Sequence, residues 1–236
     1  MLKRHSTFLA AAFFAAPSAM AQELNIFDQI VQAGAAMYVI LAISVLAAAV
    51  AIERMRHLRL QAIVPDGMAA DVISLWRAHK FDQIENIAKA NDSTLARIVA
   101  YMVEQRHAPR AAMAAGCGDL ASRELREHQQ KAYALAVVAT MAPIIGLLGT
   151  VVGMVESFHA IAYAGGMGNP AVLAGGISKA LVCTAGGLSV ALAALGAHHF
   201  FKHRVVAYGL KLEKVVNALL DACGPVGLAK SHLEVA

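Results

Sequence analysis

Charge is scarce in this sequence, and it is missing altogether from two long runs. Only 15% of the 236 residues are charged and 6% are aromatic, with a single tryptophan. That balance, with a mean hydropathy of +0.57, excludes an ordinary soluble domain and places the chain among integral membrane proteins. Cysteine is equally sparse. Cys117, Cys183 and Cys223 are widely spaced and form no metal-type pair, so no cysteine-held metal centre is expected and the thiols read as free. No G-x-S-x-G occurs, and GGISKA lacks the spacing of a phosphate loop, which excludes the commonest nucleophile and nucleotide sites. No cofactor is expected, and no enzyme. The net charge of +4 does not mark a nucleic-acid binder, because the basic residues stand mainly beside apolar runs, where they act as topology signals.

What is there is apolar length. Twenty-four uncharged residues lie between Lys131 and Glu156, and 22 between Lys179 and Lys202. About 20 apolar residues cross a bilayer core as a helix, so both runs qualify. A third run, residues 35–52, ends at ERMRHLR, where Arg54, Arg56 and Arg59 mark a cytoplasmic boundary. The fold expected is all-α, with three transmembrane helices and long helices reaching into the cytoplasm.

The chain then divides in order. Residues 1–21 read as a cleavable secretory signal, with Lys3 and Arg4 before a short apolar core at 6–16 and Ala19-Met20-Ala21 as its cleavage site. Residues 22–34 carry Leu24, Phe27, Ile30 and Val31 at helical spacing and read as an outer amphipathic segment. After the first span, residues 53–131 hold 22 of the 36 charged residues and read as a cytoplasmic helical segment. Within it VPDG is a turn whose Asp66 can cap a helix through Val72, Leu75 and Trp76. A short helix covers 82–90, and Ser93 caps the next. Pro109 is a break, and the triplet Gly116-Cys117-Gly118 is a weak point in the helix that follows.

The second span is 132–158, the glycine-rich stretch 159–176 is an outer loop without lysine or arginine, and the third span is 177–201. The third span runs on into a cytoplasmic C-terminal segment, 202–236, with an apolar stripe at Tyr208, Leu212, Val215 and Leu219. As far as Cys223 the two make a rod of about 70 Å at 1.5 Å per residue. Every loop agrees with a mature N-terminus outside and a C-terminus inside.

Few residues in these spans can carry chemistry. Gly146, Gly149 and Gly153 recur on one side of the second span, and Ala180, Gly187, Ala191 and Ala194 on the third, which suits close helix packing in lipid. Thr150 and Thr184 sit near mid-helix. Each can bond back to its own helix carbonyls, or the two can meet at one depth of a hairpin and offer hydroxyls to water or a carboxyl group. Glu156 and Lys179 are the only charges between Lys131 and Lys202, and each costs about 2.5–3.5 kcal/mol at a helix centre, less near an interface. They can form a membrane ion pair or reach the interface separately, and Glu156 can also take part in ion passage. His198, His199 and His203 read as an interfacial polar collar rather than metal ligands.

The stretches APIIGLLGTVVGMVESF (142–158) and NPAVLAGGISKALVCTAGGLSVALAAL (169–195) resemble the family of proton-channel motor subunits that includes ExbB, TolQ and MotA, and ExbB and TolQ most. The resemblance implies a three-span subunit that forms a homopentamer around single-span ExbD-type partners, in the lipid of a bacterial inner membrane. It further implies that protons pass beside an acidic residue of the partner and that the motion energises a TonB-type transducer. On this resemblance Thr150 and Thr184 correspond to pore-facing threonines, and the ion path is expected at Thr150, Thr184 and Glu156. The sequence departs at GISKAL, where many relatives read GIxEAL: Lys179 stands where they carry glutamate. Either the carboxylate has moved to Glu156 with Lys179 as its partner, or the usual glutamate is structural. The implied role is ExbB-like uptake; the alternatives are a TolQ-like envelope function and a passive scaffold that conducts nothing.

Overall fold

The computed structural model describes residues 34–163 and 170–223, less the side chains of Pro170 and Val172. The signal at 1–21, all but the last residue of the outer segment 22–34, and the tail beyond Cys223 lie outside the described residues. Eight helices hold most of the described residues: α1 Ala35–His57, α2 Leu60–Ile63, α3 Met68–Arg77, α4 Phe81–Lys89, α5 Thr94–Glu104, α6 Arg110–Lys131, α7 Tyr133–Tyr163 and α8 Pro170–Cys223. No strand occurs among the described residues. Three apolar stretches, in α1, α7 and α8, are long enough to cross a membrane. Of those stretches only 11%, 28% and 28% is buried within the chain, so their exposed leucines, valines and isoleucines need lipid or another chain to cover them. This is an all-α membrane protein.

The helices overrun the expected boundaries. α1 continues through Glu53–His57, because its basic end interacts favourably with the helix C-terminus. Arg54 is more than a flank: it is only 5% exposed and is ion-paired with Glu53. Of the expected outer loop 159–176, both ends are helical, with α7 running to Tyr163 and α8 starting at Pro170, and residues 164–169 lie outside the described residues. Proline suits that first helical position, where no intrahelical N–H is required.

The described residues form two compact units. The larger comprises 42–142 with 190–223. Its centre is α5, seven of whose eleven residues are buried. Leu95, Ile98, Val99 and Met102 meet Val72, Ile84, Met113, Phe201, Leu212 and Leu219 in one apolar core. The stripe on α8 works as its spacing implies: Leu212 and Leu219 are fully buried, with Tyr208 and Val215 packed beside them. Ion pairs close the rim. Arg97 donates to both oxygens of Glu124, at 2.9 and 2.6 Å, and to Asp92 at 2.6 Å, and Arg110 pairs with Asp221.

Ser93 does cap α5, its hydroxyl accepting from the Ala96 N–H at 3.1 Å. Replacing it with alanine is expected to cost about 1 kcal/mol, read as a lowered Tm of the detergent-solubilised chain. Asp66 does not cap α3. That position belongs to Gly67, whose φ of 81° turns the chain without a side-chain bond and suits glycine best. Nor is Gly116-Cys117-Gly118 a weak point. α6 is unbroken, Cys117 is completely buried, and a Cβ on Gly116 would collide with the Tyr101 ring; the small residue admits a close neighbour.

Burial pushes the Cys117 and Cys223 thiols up to about 11 from an ordinary 9.0. A raised acid pKa means that folding favours the neutral thiol. The associated stability is full below pH 9 and is lost as pH rises toward 11. At pH 8 both thiols are therefore expected to resist maleimide until the protein is unfolded, as mass spectrometry of alkylated protein would show.

Candidate functional site

The smaller unit comprises, among the described residues, 34–41, 143–163 and 170–189. Its organising feature is the approach of α7 to α8, which small residues make possible. A Cβ on Gly146 would stand 3.1 Å from the Cys183 carbonyl oxygen and from the Thr184 Cα. One on Gly149 would stand 2.9 Å from the Cys183 Cβ and 3.0 Å from that of Ala36 on α1. One on Gly153 would meet the Ala180 Cβ at 3.2 Å, and one on Gly176 would overlap Ser157. Gly187 is buried, its Cα 3.5 Å from the Cβ position at Gly146.

These contacts define an antiparallel register. Gly146 faces Thr184 and Gly187, Gly149 faces Cys183, Gly153 faces Ala180, and Ser157 faces Gly176. In that register Thr150 stands level with Thr184, and Glu156 with Lys179. The contacts on both sides are backbone or short side chains, so the hairpin has little room to absorb larger residues.

The two hydroxyls behave differently. Thr150 donates to the Leu147 carbonyl of its own helix at 2.6 Å. Thr184 instead donates across the hairpin to the Gly146 carbonyl, at 3.1 Å. Gly146 makes this bond possible, since the Thr184 backbone stands where its side chain would be. A hydroxyl that donates keeps its lone pairs. Each threonine can therefore still accept a hydrogen bond from water or from a protonated carboxyl group. Ser157, which the sequence did not single out, is 4% exposed and donates to the Gly153 carbonyl at 2.7 Å.

Glu156 and Lys179 both line a groove of about 730 Å³ bounded by Ala36 and Val39 of α1, Leu148 and Val152 of α7, and the start of α8. Among the described residues they are the only charged ones in its wall. Both are exposed, and none of the salt bridges among the described residues joins them. The groove unites the two charges but not the two threonines, neither of which lines it. In the larger unit His198 lies 3.3 Å, by its Nδ1, from the Ala132 carbonyl oxygen.

The chain is 26% identical over 197 residues to a biopolymer transport protein ExbB-like 1 of Synechocystis sp., a match covering 83% of this chain and 77% of the relative. It is 37% identical over 86 residues to the biopolymer transport protein ExbB of Salmonella typhimurium, covering 36% of this chain and 35% of that one. The Tol-Pal system protein TolQ of Haemophilus influenzae is likewise 37% identical over 86 residues, covering 36% of this chain and 37% of its own length. With the latter two the shared segment is thus only about a third of each relative. A model of the MotA/TolQ/ExbB proton channel family matches residues 90–214, more than half of the 236 residues, and the chain belongs to that family.

Proposed function

We propose that this chain is an ExbB-like inner-membrane proton-channel subunit. As a homopentamer around an ExbD-type single-span partner, it would couple the protonmotive force to a TonB-type transducer for uptake across the outer membrane. Its N-terminus faces the periplasm, and the segment 53–131 and the C-terminus face the cytoplasm. The observation that carries the reading is the glycine-lined hairpin, which holds Thr150 and Thr184 at one level, near the middle of their spans, with lone pairs available. Protons need such relay points, because charge in hydrocarbon is costly. One charge crossing 100 mV releases about 2.3 kcal/mol, so useful work needs several protons per cycle and a partner that moves against a smooth face.

The Haemophilus relative, as similar over the same length as the Salmonella one, favours a second reading, a TolQ-like role in envelope maintenance. Complementation separates the two. Expression in cells lacking their ExbB-type subunit is expected to restore TonB-dependent uptake. Expression in cells lacking their TolQ-type subunit is expected to leave detergent sensitivity unchanged. The reverse pattern assigns the TolQ-like role, and rescue of neither, with the chain assembled in the membrane, leaves the passive scaffold.

A further inference from the structure

A second cavity lies in the larger unit, where α6 hands over to α7. Its volume is about 360 Å³, and its wall includes Gln129, Gln130 and Tyr133 from the handover and His198 and Lys202 from α8. Among the described residues the wall holds amide, phenol, imidazole and ammonium groups and no carboxylate. The nearest acid in sequence, Glu127, is committed to Lys131 at 3.1 Å. Lys202 takes part in none of the salt bridges among the described residues.

Position is the second observation. Lys131 and Lys202 each bound an uncharged run, of 24 and 22 residues. At 1.5 Å per residue each run matches a hydrocarbon core about 30 Å thick, so the cavity falls at the headgroup layer of one leaflet. The third observation is what adjoins it. Tyr133, Val137 and Met141 recur every fourth residue of α7, are 64%, 37% and 49% exposed, and form an apolar stripe leading from the cavity into the span. Side chains four apart share a helix face.

We infer that this cavity binds the headgroup of an anionic glycerophospholipid, with its phosphate on Lys202 and an acyl chain along Tyr133, Val137 and Met141. A cationic, carboxylate-free pocket at the headgroup level continuous with an apolar stripe matches the two halves of such a lipid. A free phosphate would use the pocket and ignore the stripe. The inference rests on the membrane placement of the apolar helices and not on the coupling role.

The test is native mass spectrometry of the full chain, purified in detergent and equilibrated with phosphatidylglycerol or phosphatidylcholine. Wild type is expected to retain phosphatidylglycerol about five-fold better, the contribution of one lysine near a membrane surface. Lys202→Gln is expected to lose that preference. Lys202→Arg should keep it, as should Lys211→Gln, which removes a charge elsewhere on α8. Should Lys202→Gln fail to assemble, the wild-type comparison and competition by inorganic phosphate decide the matter. Equal retention of the two lipids overturns the inference, as does an undiminished preference in Lys202→Gln. Displacement of the lipid by millimolar phosphate overturns it in favour of a free-anion site, and exclusion of both lipids overturns it in favour of a protein contact.

Discussion

Gly146→Leu is expected to abolish the folded hairpin, and the chain is expected to be lost from the membrane fraction or recovered only as aggregate. Even the first carbon of the new side chain would lie 3.1 Å from the Cys183 carbonyl oxygen and the Thr184 Cα. Both neighbours are backbone and cannot rotate away, so α7 and α8 would have to separate. Separation would also break the Thr184 bond to the Gly146 carbonyl, worth about 0.6–2 kcal/mol between membrane helices. Overpacking alone costs about 1–3 kcal/mol, and here several contacts fail together. Gly118→Leu is the control, because a Cβ there meets nothing within 4 Å; that variant should assemble normally. The check is the yield of monodisperse protein in detergent for the two variants. Equal yields would show that the helices do not approach through Gly146.

Thr184→Val is expected to leave assembly nearly intact and to remove most TonB-dependent uptake. Valine keeps the shape of threonine and removes the hydroxyl, so the loss to packing is about 1 kcal/mol, that of one neutral hydrogen bond. Transport is a different quantity. A relay point in hydrocarbon has no water to replace it, and a gap between acceptors obstructs every proton that passes. A fall of about ten-fold or more in uptake corresponds to only about 1.4 kcal/mol added to a barrier. Thr184→Ser restores the hydroxyl and is expected to retain much of the activity, which separates relay from bulk. Thr150→Val should behave likewise, whereas the charge exchange Glu156→Lys with Lys179→Glu asks a separate question. If the exchange recovers what Glu156→Lys alone loses, the two charges act as a pair in the assembled complex.

Much of the fold is legible in the sequence because its strongest signals are binary. Charge-free runs of 24 and 22 residues admit few readings other than spans, and the stripe at Tyr208, Leu212, Val215 and Leu219 fixes which face of α8 is buried. What local reasoning misses is what depends on a neighbour far along the chain. Glycines at 165, 166, 168, 175 and 176 suggest a loop, yet Gly175 and Gly176 are helical, and Gly176 is the place where Ser157 fits. Arg54 looks like a positive flank and is instead buried beside Glu53. Gly116 looks like a helix breaker and is a seat for Tyr101. In each case a small or charged residue has been read by its own propensity when its partner decides its role. The candidate site divides the same way. That Thr150 and Thr184 share a level follows from the spacing of the runs; that one bonds within its helix and the other across the hairpin does not.

The measurement that tests the central claim most directly is proton flux into liposomes containing this chain together with the proposed ExbD-type single-span partner. Flux is read with a trapped pH dye under an imposed potential. Wild type is expected to acidify the lumen. Thr150→Val and Thr184→Val, incorporated equally and still bound to the partner, are expected to conduct at the level of empty liposomes. Undiminished flux in both variants would contradict the placement of the ion path at this hairpin. A wild-type complex that carries no protons would contradict the channel itself.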